Sequence, residues 1–129
     1  MNLIVDTQVF LWWLVDDGAL SERARDLMRD AGNTLYLSAV SAWEIAIKAA
    51  LGRLELSGDP TIVVPEQMAA NSIEPLPMQI SHALHVNSLP PHHRDPFDRM
   101  LVAQSQIESL PILTSDARIG HYDVEVVWK

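Results

Sequence analysis

Cysteine is absent from this sequence of 129 residues, and long apolar runs are absent as well. The lack of cysteine excludes disulfide bonds, thiolate zinc sites and thiol nucleophiles, and it is compatible with a reducing cytosol. The apolar runs are too short to cross a membrane, and the N-terminus lacks the basic and apolar stretches of a secretory signal. We therefore expect a cytoplasmic protein that does not enter the membrane.

Basic residues are also scarce, with nine Lys and Arg against seventeen Asp and Glu, which gives a formal net charge of −8. This balance argues against broad electrostatic adhesion to nucleic acid, which normally needs a basic face. It does not exclude a metal-dependent nuclease, because bound divalent ions can supply positive charge where a phosphate must sit. A negative charge of this size also suits a basic protein partner.

What is present indicates one domain that spans residues 1–129, since 48% of the residues are apolar and can form a genuine core. Strand-like and helix-like patterns alternate from end to end, which favours an α/β fold with a parallel sheet. The predicted strands are 2–5, 34–40, 111–114 and 124–128. The predicted helices are 7–15, 21–31, 41–54, 65–71, 82–89 and 96–108. The topology between residues 58 and 80 stays open, apart from a short extended segment after the helix there.

Four acidic residues stand at the junctions between these elements. Asp6 follows the first predicted strand and Asp116 closes the segment 111–116, while Glu44 and Asp98 lie near the start of predicted helices. The ends of parallel strands meet at one crevice, where ligands bind in open α/β sheets. Carboxylates in such a crevice recruit oxygen-loving cations such as Mg²⁺ or Mn²⁺. The sequence therefore predicts a metal site.

Three of these acids also have a purely structural interpretation. Asp6 precedes a helix and is a good N-cap residue. Asp98 follows Pro96, which suits the first helical position, and negative charge in the first turn of a helix is favourable. Asp116 fits as the cap of a short turn.

Glu44 has two structural alternatives of its own. It stands three residues after Ser41, in the spacing of a capping box that would begin the helix 41–54. It also stands four residues before Lys48, which favours an ion pair on the helix. Lys48 has the further option of facing the crevice and meeting a phosphate group.

The joint placement of the four acids favours the metal site over these separate explanations. All four lie where a strand is followed by a helix or a turn, which places them along one edge of a doubly wound sheet. Acids of a solvated helix face recur instead along the helix, as Glu22, Asp26 and Asp30 do at four-residue spacing.

Three segments of the sequence carry a resemblance to a known family. They are LIVDTQVFLWWL at 3–14, SAVSAWEIAIKAALGRL at 38–54, and HHRDPFDRMLVAQSQ at 92–106 followed by ILTSD at 112–116. With these segments the chain resembles the PIN-domain ribonucleases of the VapC type, the toxins of bacterial toxin–antitoxin pairs. The resemblance covers almost the whole chain, and DPFDRMLVAQ is its most specific part.

The resemblance implies a PIN-like three-layer α/β/α fold with a central, mostly parallel sheet of about four to five strands. It implies that Mg²⁺ or Mn²⁺ is held by Asp6, Glu44 and Asp98 as the core cluster, with Asp116 as an outer or water-mediated ligand, and that the site cleaves RNA. It also implies a VapB-like antitoxin as partner, together with a homodimer or a larger toxin–antitoxin assembly.

Several other residues are candidates for supporting roles. Thr7 and Thr114 could hydrogen-bond the carboxylates or a metal-bound water, although hydroxyl groups beside strand ends often satisfy the backbone instead. Arg99 is predicted to form an ion pair with an acid such as Asp95, or else to contact substrate phosphate.

The histidine pair and the tryptophans are assigned more modest roles. His92 and His93 lie in a proline-flanked loop and should point in different directions, so joint binding of one ion is not expected. For His93 we predict a part in loop order or in RNA contact. The four tryptophans, with Trp12 and Trp13 on the first helix, are expected mainly in the core, with some available to a dimer or antitoxin surface.

Three other functional classes were compared with this prediction. A phosphoaspartyl phosphatase would need a second Asp two residues after Asp6, where Gln8 stands, and a receiver domain would need an acidic pair directly after the first strand, whereas Asp16 and Asp17 come too late. The third is a catalytically silent PIN-like module that binds a protein or RNA. Loss of an acid would be its expected mark, and none of the four is missing.

Overall fold

A computed structural model describes residues 1–129 and contains five β-strands and six α-helices. The strands are β1 Asn2–Val5, β2 Thr34–Ser38, β3 Ile73–Leu76, β4 Ile112–Leu113 and β5 Val126–Val127. The helices are α1 Thr7–Leu14, α2 Glu22–Arg29, α3 Ala39–Ala50, α4 Pro60–Ala70, α5 Ile80–His85 and α6 Pro96–Glu108. Short 3-10 helices occupy Val86–Ser88 and Ile119–His121. None of the helices combines the length and apolarity needed to cross a bilayer.

All five strands are parallel and lie in the order β3-β2-β1-β4-β5. The chain passes from β1 to β2 and β3 on one side, and then returns to place β4 on the other side of β1. This reversal creates a topological switch point at the carboxyl ends of β1 and β4, where Val5 lies beside Leu113. Residues that directly follow these two strands therefore come together at one edge of the sheet.

Helices cover both faces of the sheet, because the strands are apolar on both sides. Leu3 and Val5 of β1 pack on one face with Phe10 of α1, whereas Ile4 packs on the other face with Leu101 of α6. All five side chains are almost fully buried. The predicted three-layer α/β/α architecture is confirmed, with a sheet that is parallel throughout.

The surface and core predictions for two groups of side chains are also confirmed. Glu22, Asp26 and Asp30 are exposed on and just after α2. Trp12 and Trp13 are half-buried and pack against the core on the side of the sheet that α1 covers. Trp43 is the exception among the tryptophans, because its side chain is exposed on α3.

Helix α3 begins earlier than predicted, and this removes the capping box. Strand β2 pairs with β3 up to Ser38, and the Ser38 hydroxyl then caps α3 by accepting the Val40 N–H at 3.1 Å. Ser41 lies inside the helix, so the prediction that Glu44 reaches back to it as a cap is wrong. Both Ser38 and Ser41 have a side chain that can cap a helix. Ser38 is the cap because the pairing of β2 with β3 ends there.

Helix α4 also begins earlier than predicted, at Pro60 instead of Pro65. Asp59 caps it by accepting the Thr61 N–H at 2.9 Å, and Pro60 suits the first turn because its missing N–H has no helical partner there. Pro65 lies within the helix. After α4 the short extended segment predicted in this region is present as β3.

Candidate active site

A cavity of about 470 Å³ lies at the carboxyl edge of the sheet, beside the switch point. The side chains of all four predicted acids line it: Asp6, Glu44, Asp98 and Asp116. Its basic lining residues are Lys48 and Arg53, and Arg53 was not singled out from the sequence. The fold thus gathers acids that are distant in the sequence around one space.

Asp6 is held by a side chain from the neighbouring strand and not by the helix that it precedes. Its Oδ2 accepts a hydrogen bond of 2.7 Å from Thr114 Oγ1, and no capping hydrogen bond to α1 is formed. Burial raises the pKa of Asp6, the Thr114 hydrogen bond opposes that effect, and the charge of Glu44 adds to it. The predicted hydrogen bond of Thr114 to a carboxylate is confirmed. Thr7 lines the cavity but forms no hydrogen bond to the carboxylates, so that part of its prediction is wrong, because its hydroxyl meets α3 and donates to Ser41 Oγ at 2.8 Å.

Glu44 is buried on α3, and its two carboxylate oxygens differ in their surroundings. Oε2 accepts a bond of 2.5 Å from Lys48 Nζ, which confirms the predicted ion pair. Oε1 is buried and has no hydrogen-bond partner. A buried carboxylate oxygen without a donor costs free energy, and a bound cation is one way to satisfy it.

Asp98 lies in the first turn of α6, behind the N-cap Asp95, whose Oδ1 accepts the N–H groups of Phe97 and Asp98. Burial first, and then the charges of Asp6, Asp95 and Glu44, raise the pKa of Asp98 to about 8. Burial and the surrounding charge therefore favour the protonated form of this carboxyl group, and a bound cation would favour the ionised form.

Asp116 follows β4, and its pKa is shifted in the opposite direction to that of Asp98. Its Oδ2 accepts a hydrogen bond of 2.9 Å from His93 Nε2, and its Oδ1 accepts the Arg118 N–H at 2.9 Å. Burial alone would raise the pKa of Asp116, but the His93 hydrogen bond and the Arg118 N–H outweigh it and hold the pKa below its usual value. Asp116 therefore caps the turn, as its structural interpretation predicts, and also lines the cavity.

His93 contacts two of the four acids, which goes beyond the predicted part in loop order or RNA contact. Its ring is buried, and Nε2 lies 3.0 Å from Asp98 Oδ2 in addition to its bond with Asp116. His92 points elsewhere and packs edge-on against Tyr122, with ring centroids 5.0 Å apart, so the predicted divergence of the two histidines is confirmed. The position of HHRD directly before α6 was the one available signal for His93.

Arg99 forms no ion pair, so the prediction of a partner such as Asp95 is wrong. Its guanidinium group instead donates to the carbonyl oxygens of Pro90 at 3.0 Å and Val86 at 3.1 Å, and to Tyr122 OH at 3.1 Å. The reason is that the segment 86–93 lies over this face of α6 and presents its carbonyl groups to the side chain. Arg99 thereby fixes the segment that carries His93.

Comparisons with known proteins agree with this architecture. A family model of the PIN domain matches residues 3–125. The chain is similar to Ribonuclease VapC16 of Mycobacterium tuberculosis (strain ATCC 25618 / H37Rv), with 38% identity over 61 residues, and the match covers 47% of this chain and only 43% of that protein.

Two solved structures have the same fold at low sequence identity. VapBC2 from Rickettsia felis, bound to a DNA fragment from their promoter, has a TM-score of 0.73 and 9% identity over 100% of both chains. DNA-bound VapBC from Salmonella typhimurium has a TM-score of 0.71 and 14% identity over 98% of this chain and 97% of that one. With its fold, its acidic cavity and the match over residues 3–125, the chain belongs to the PIN-domain family.

Proposed function

We propose that the chain is a divalent-metal-dependent endoribonuclease, and that it acts in the cytoplasm as the toxin of a toxin–antitoxin pair. The observation that carries the proposal is the convergence of Asp6, Glu44, Asp98 and Asp116 on one cavity. The proposal is supported by membership of the PIN-domain family and by the similarity to a protein named as a ribonuclease.

The residues of the cavity fit Mg²⁺ or Mn²⁺. Glu44 Oε1 is a buried acceptor without a donor, and burial together with the charges of the neighbouring acids raises the pKa of Asp98. Carboxylate oxygens are the ligands that these ions prefer. In this proposal Asp6, Glu44 and Asp98 hold the ion, and Asp116 is an outer or water-mediated ligand.

A bound ion of this kind lowers the pKa of a coordinated water and stabilises the charge that develops on a phosphoryl group. The protein residues supply the positioning. Thr114 holds Asp6 in place through its hydroxyl, and Lys48 holds one oxygen of Glu44. Arg53 provides a positive charge at the cavity for a phosphate of the RNA chain.

The proposed partner is an antitoxin with a basic segment that enters the acidic cavity. The net charge of −8 favours such a partner electrostatically. The fold neighbours are themselves described as VapBC structures bound to DNA. A homodimer, or a larger assembly with the antitoxin, is the proposed oligomeric form.

The test is cleavage of a structured RNA pool by the purified chain, with and without Mg²⁺ or Mn²⁺. The nearly isosteric variant Asp98→Asn should lose on the order of 100-fold or more in activity, because it removes a charge that the ion needs. Asp26→Asn, an exposed change on α2, is the matched control and should retain activity.

Metal-dependent cleavage that Asp98→Asn abolishes and Asp26→Asn retains would support the proposal. Equal activity of the wild type and Asp98→Asn would contradict the assigned role of the carboxylates. A folded, metal-binding wild type without cleavage would favour the catalytically silent binding module instead.

A further inference from the structure

The ring of His93 lies against two of the acids that line the cavity, and its position fits two alternative roles. Its Nε2 lies 2.9 Å from Asp116 Oδ2 and 3.0 Å from Asp98 Oδ2, so the three side chains have the spacing of a metal site with one nitrogen and two oxygen ligands. The same distances fit a hydrogen-bond donor placed between two carboxylates. The two roles require opposite protonation of Nε2.

The other ring nitrogen distinguishes these roles. The backbone N–H of Asp95 donates to His93 Nδ1 at 3.1 Å. Because a backbone amide only donates, Nδ1 must accept and carries no proton, which leaves the proton of the neutral ring on Nε2. A metal-binding histidine has the reverse arrangement, in which the nitrogen away from the metal donates to an acceptor. The surroundings of His93 thus define Nε2 as a donor.

A second histidine of the chain has the same arrangement outside the cavity. The Gln79 N–H donates to His82 Nδ1 at 3.0 Å, and His82 Nε2 lies 2.9 Å from Glu108 Oε1. The His82 ring is fully buried at the contact between α5 and α6. The His82–Glu108 contact shows the same hydrogen-bond arrangement away from the proposed metal site. A substitution of His82 is therefore a control for effects on folding alone.

The backbone of His93 is fixed as firmly as its ring. The His93 N–H donates to Tyr122 OH at 2.9 Å, and Arg99 donates to the same hydroxyl group at 3.1 Å. The ring therefore cannot turn to present Nε2 differently without breaking the bond at Nδ1 or the anchoring of the backbone.

We propose that His93 is a positioning residue and not a metal ligand. It donates a hydrogen bond from Nε2 to Asp116, fixes the orientation of that carboxylate at the cavity, and places the same N–H group beside Asp98. Direct coordination is thereby left to Asp6, Glu44 and Asp98. This inference rests on the proposed function for the identity of the ion, although its first test requires no cleavage activity.

The first test observes the protonation of the ring directly. Nitrogen-15 NMR of the histidine side chains, recorded on the metal-free protein and again with saturating Mg²⁺, should show a protonated Nε2 and an unprotonated Nδ1 for His93 in both states. Pulsed EPR of the Mn²⁺-loaded protein should show no directly coordinated nitrogen. Loss of the Nε2 proton on addition of Mg²⁺, or a nitrogen coupling to Mn²⁺ that His93→Gln removes, would overturn the proposal.

The second test compares His93→Gln with His93→Ala by calorimetric titration with Mg²⁺. The amide nitrogen of glutamine can take the place of Nε2 as a donor, so His93→Gln should keep the affinity within about 3-fold, whereas His93→Ala should weaken it by about 10- to 100-fold. Equal loss in both variants would contradict the donor role. If His93→Ala does not fold, the glutamine variant and the spectroscopy still decide.

His82→Gln should lower the melting temperature without changing the affinity for Mg²⁺, because its contact lies outside the cavity. In the cleavage assay, His93→Ala should lower kcat with little change in KM, and His93→Gln should restore most of it. A failure of the ribonuclease proposal would appear as an inert wild type with these spectroscopic results intact, so the two failures are distinguishable.

Discussion

At the scale of single residues, ionisation of Asp98 is opposed by its burial and by four neighbouring acids. The pKa of about 8 in the folded protein compares with about 3.9 in an unfolded chain. Between these two pH values the folded state retains a proton that the unfolded state has lost. The free energy of unfolding of the metal-free protein must therefore decrease as the pH rises through this range.

Asp98→Asn should remove this pH dependence. Relative to the wild type, we expect the variant to gain stability on the order of 2 kcal/mol at pH 8 in the absence of divalent ions, with a smaller gain at pH 5. Urea denaturation in the presence of a chelator at the two pH values measures the difference, with Asp26→Asn as the control. If the free energy of unfolding changes with pH in the same way for Asp98→Asn and the wild type, a group other than Asp98 causes the pH dependence.

The four carboxylates could be predicted from the sequence, but the residues that orient them could be predicted only in part. Asp6 directly follows β1 and Asp116 comes shortly after β4, so local order and the parallel sheet suffice to bring them together. His93 reaches Asp116 only because the segment 86–93 folds back over α6, and that contact is not encoded in any local pattern. Thr114 was predictable because it directly follows β4, at the end of the sheet where Asp6 follows β1.

At the scale of secondary-structure elements, Arg99 joins the segment 86–93 to α6. Its guanidinium fork contacts Val86, Pro90 and Tyr122 at once, a geometry that a lysine ammonium group cannot reproduce. The segment itself has little regular structure beyond one 3-10 turn. Its position against α6 therefore depends on this side chain.

Arg99→Lys should loosen the segment and leave the sheet intact. We expect faster amide hydrogen exchange across residues 86–93 and a free energy of unfolding lower by about 1–3 kcal/mol, because several carbonyl groups lose a charged donor. Hydrogen-exchange mass spectrometry measures the effect, and Arg94→Lys, at an exposed neighbouring position, is the control. Unchanged hydrogen exchange at residues 86–93 would show that apolar contacts of the segment, and not Arg99, keep it ordered.

The ends of the elements were less predictable than their existence. Helix α6 was predicted with its observed bounds, because Asp95 and Pro96 form a clear N-terminal signal. The start of α3 was wrong because Ser38 and Ser41 carry the same capping chemistry, and the choice depends on how far β2 pairs with β3. Tertiary pairing, which local propensity does not include, determined that boundary.

At the scale of the whole molecule, the acidic charge limits how RNA is attracted. The net charge is −8, and the basic residues that line the cavity are Lys48, already paired with Glu44, and Arg53. Binding that depends on many phosphate contacts weakens steeply with salt, with a slope proportional to the number of neutralised phosphates. This chain has few side chains for such contacts, and the proposed divalent ion must supply the rest of the positive charge.

We therefore expect the affinity for single-stranded RNA to depend strongly on Mg²⁺ and only weakly on monovalent salt. At constant Mg²⁺, the logarithm of the affinity should fall against the logarithm of the KCl concentration with a slope of about −2 or shallower. Arg53→Gln should reduce that slope by roughly 0.7, because one phosphate contact is lost. Fluorescence anisotropy with a non-hydrolysable RNA analogue, on a chain that keeps all four acids, measures both effects, and Arg23→Gln, outside the cavity, is the matched control. A steep slope that Arg53→Gln does not change would place the RNA on a different basic surface, such as one formed between two copies of the chain.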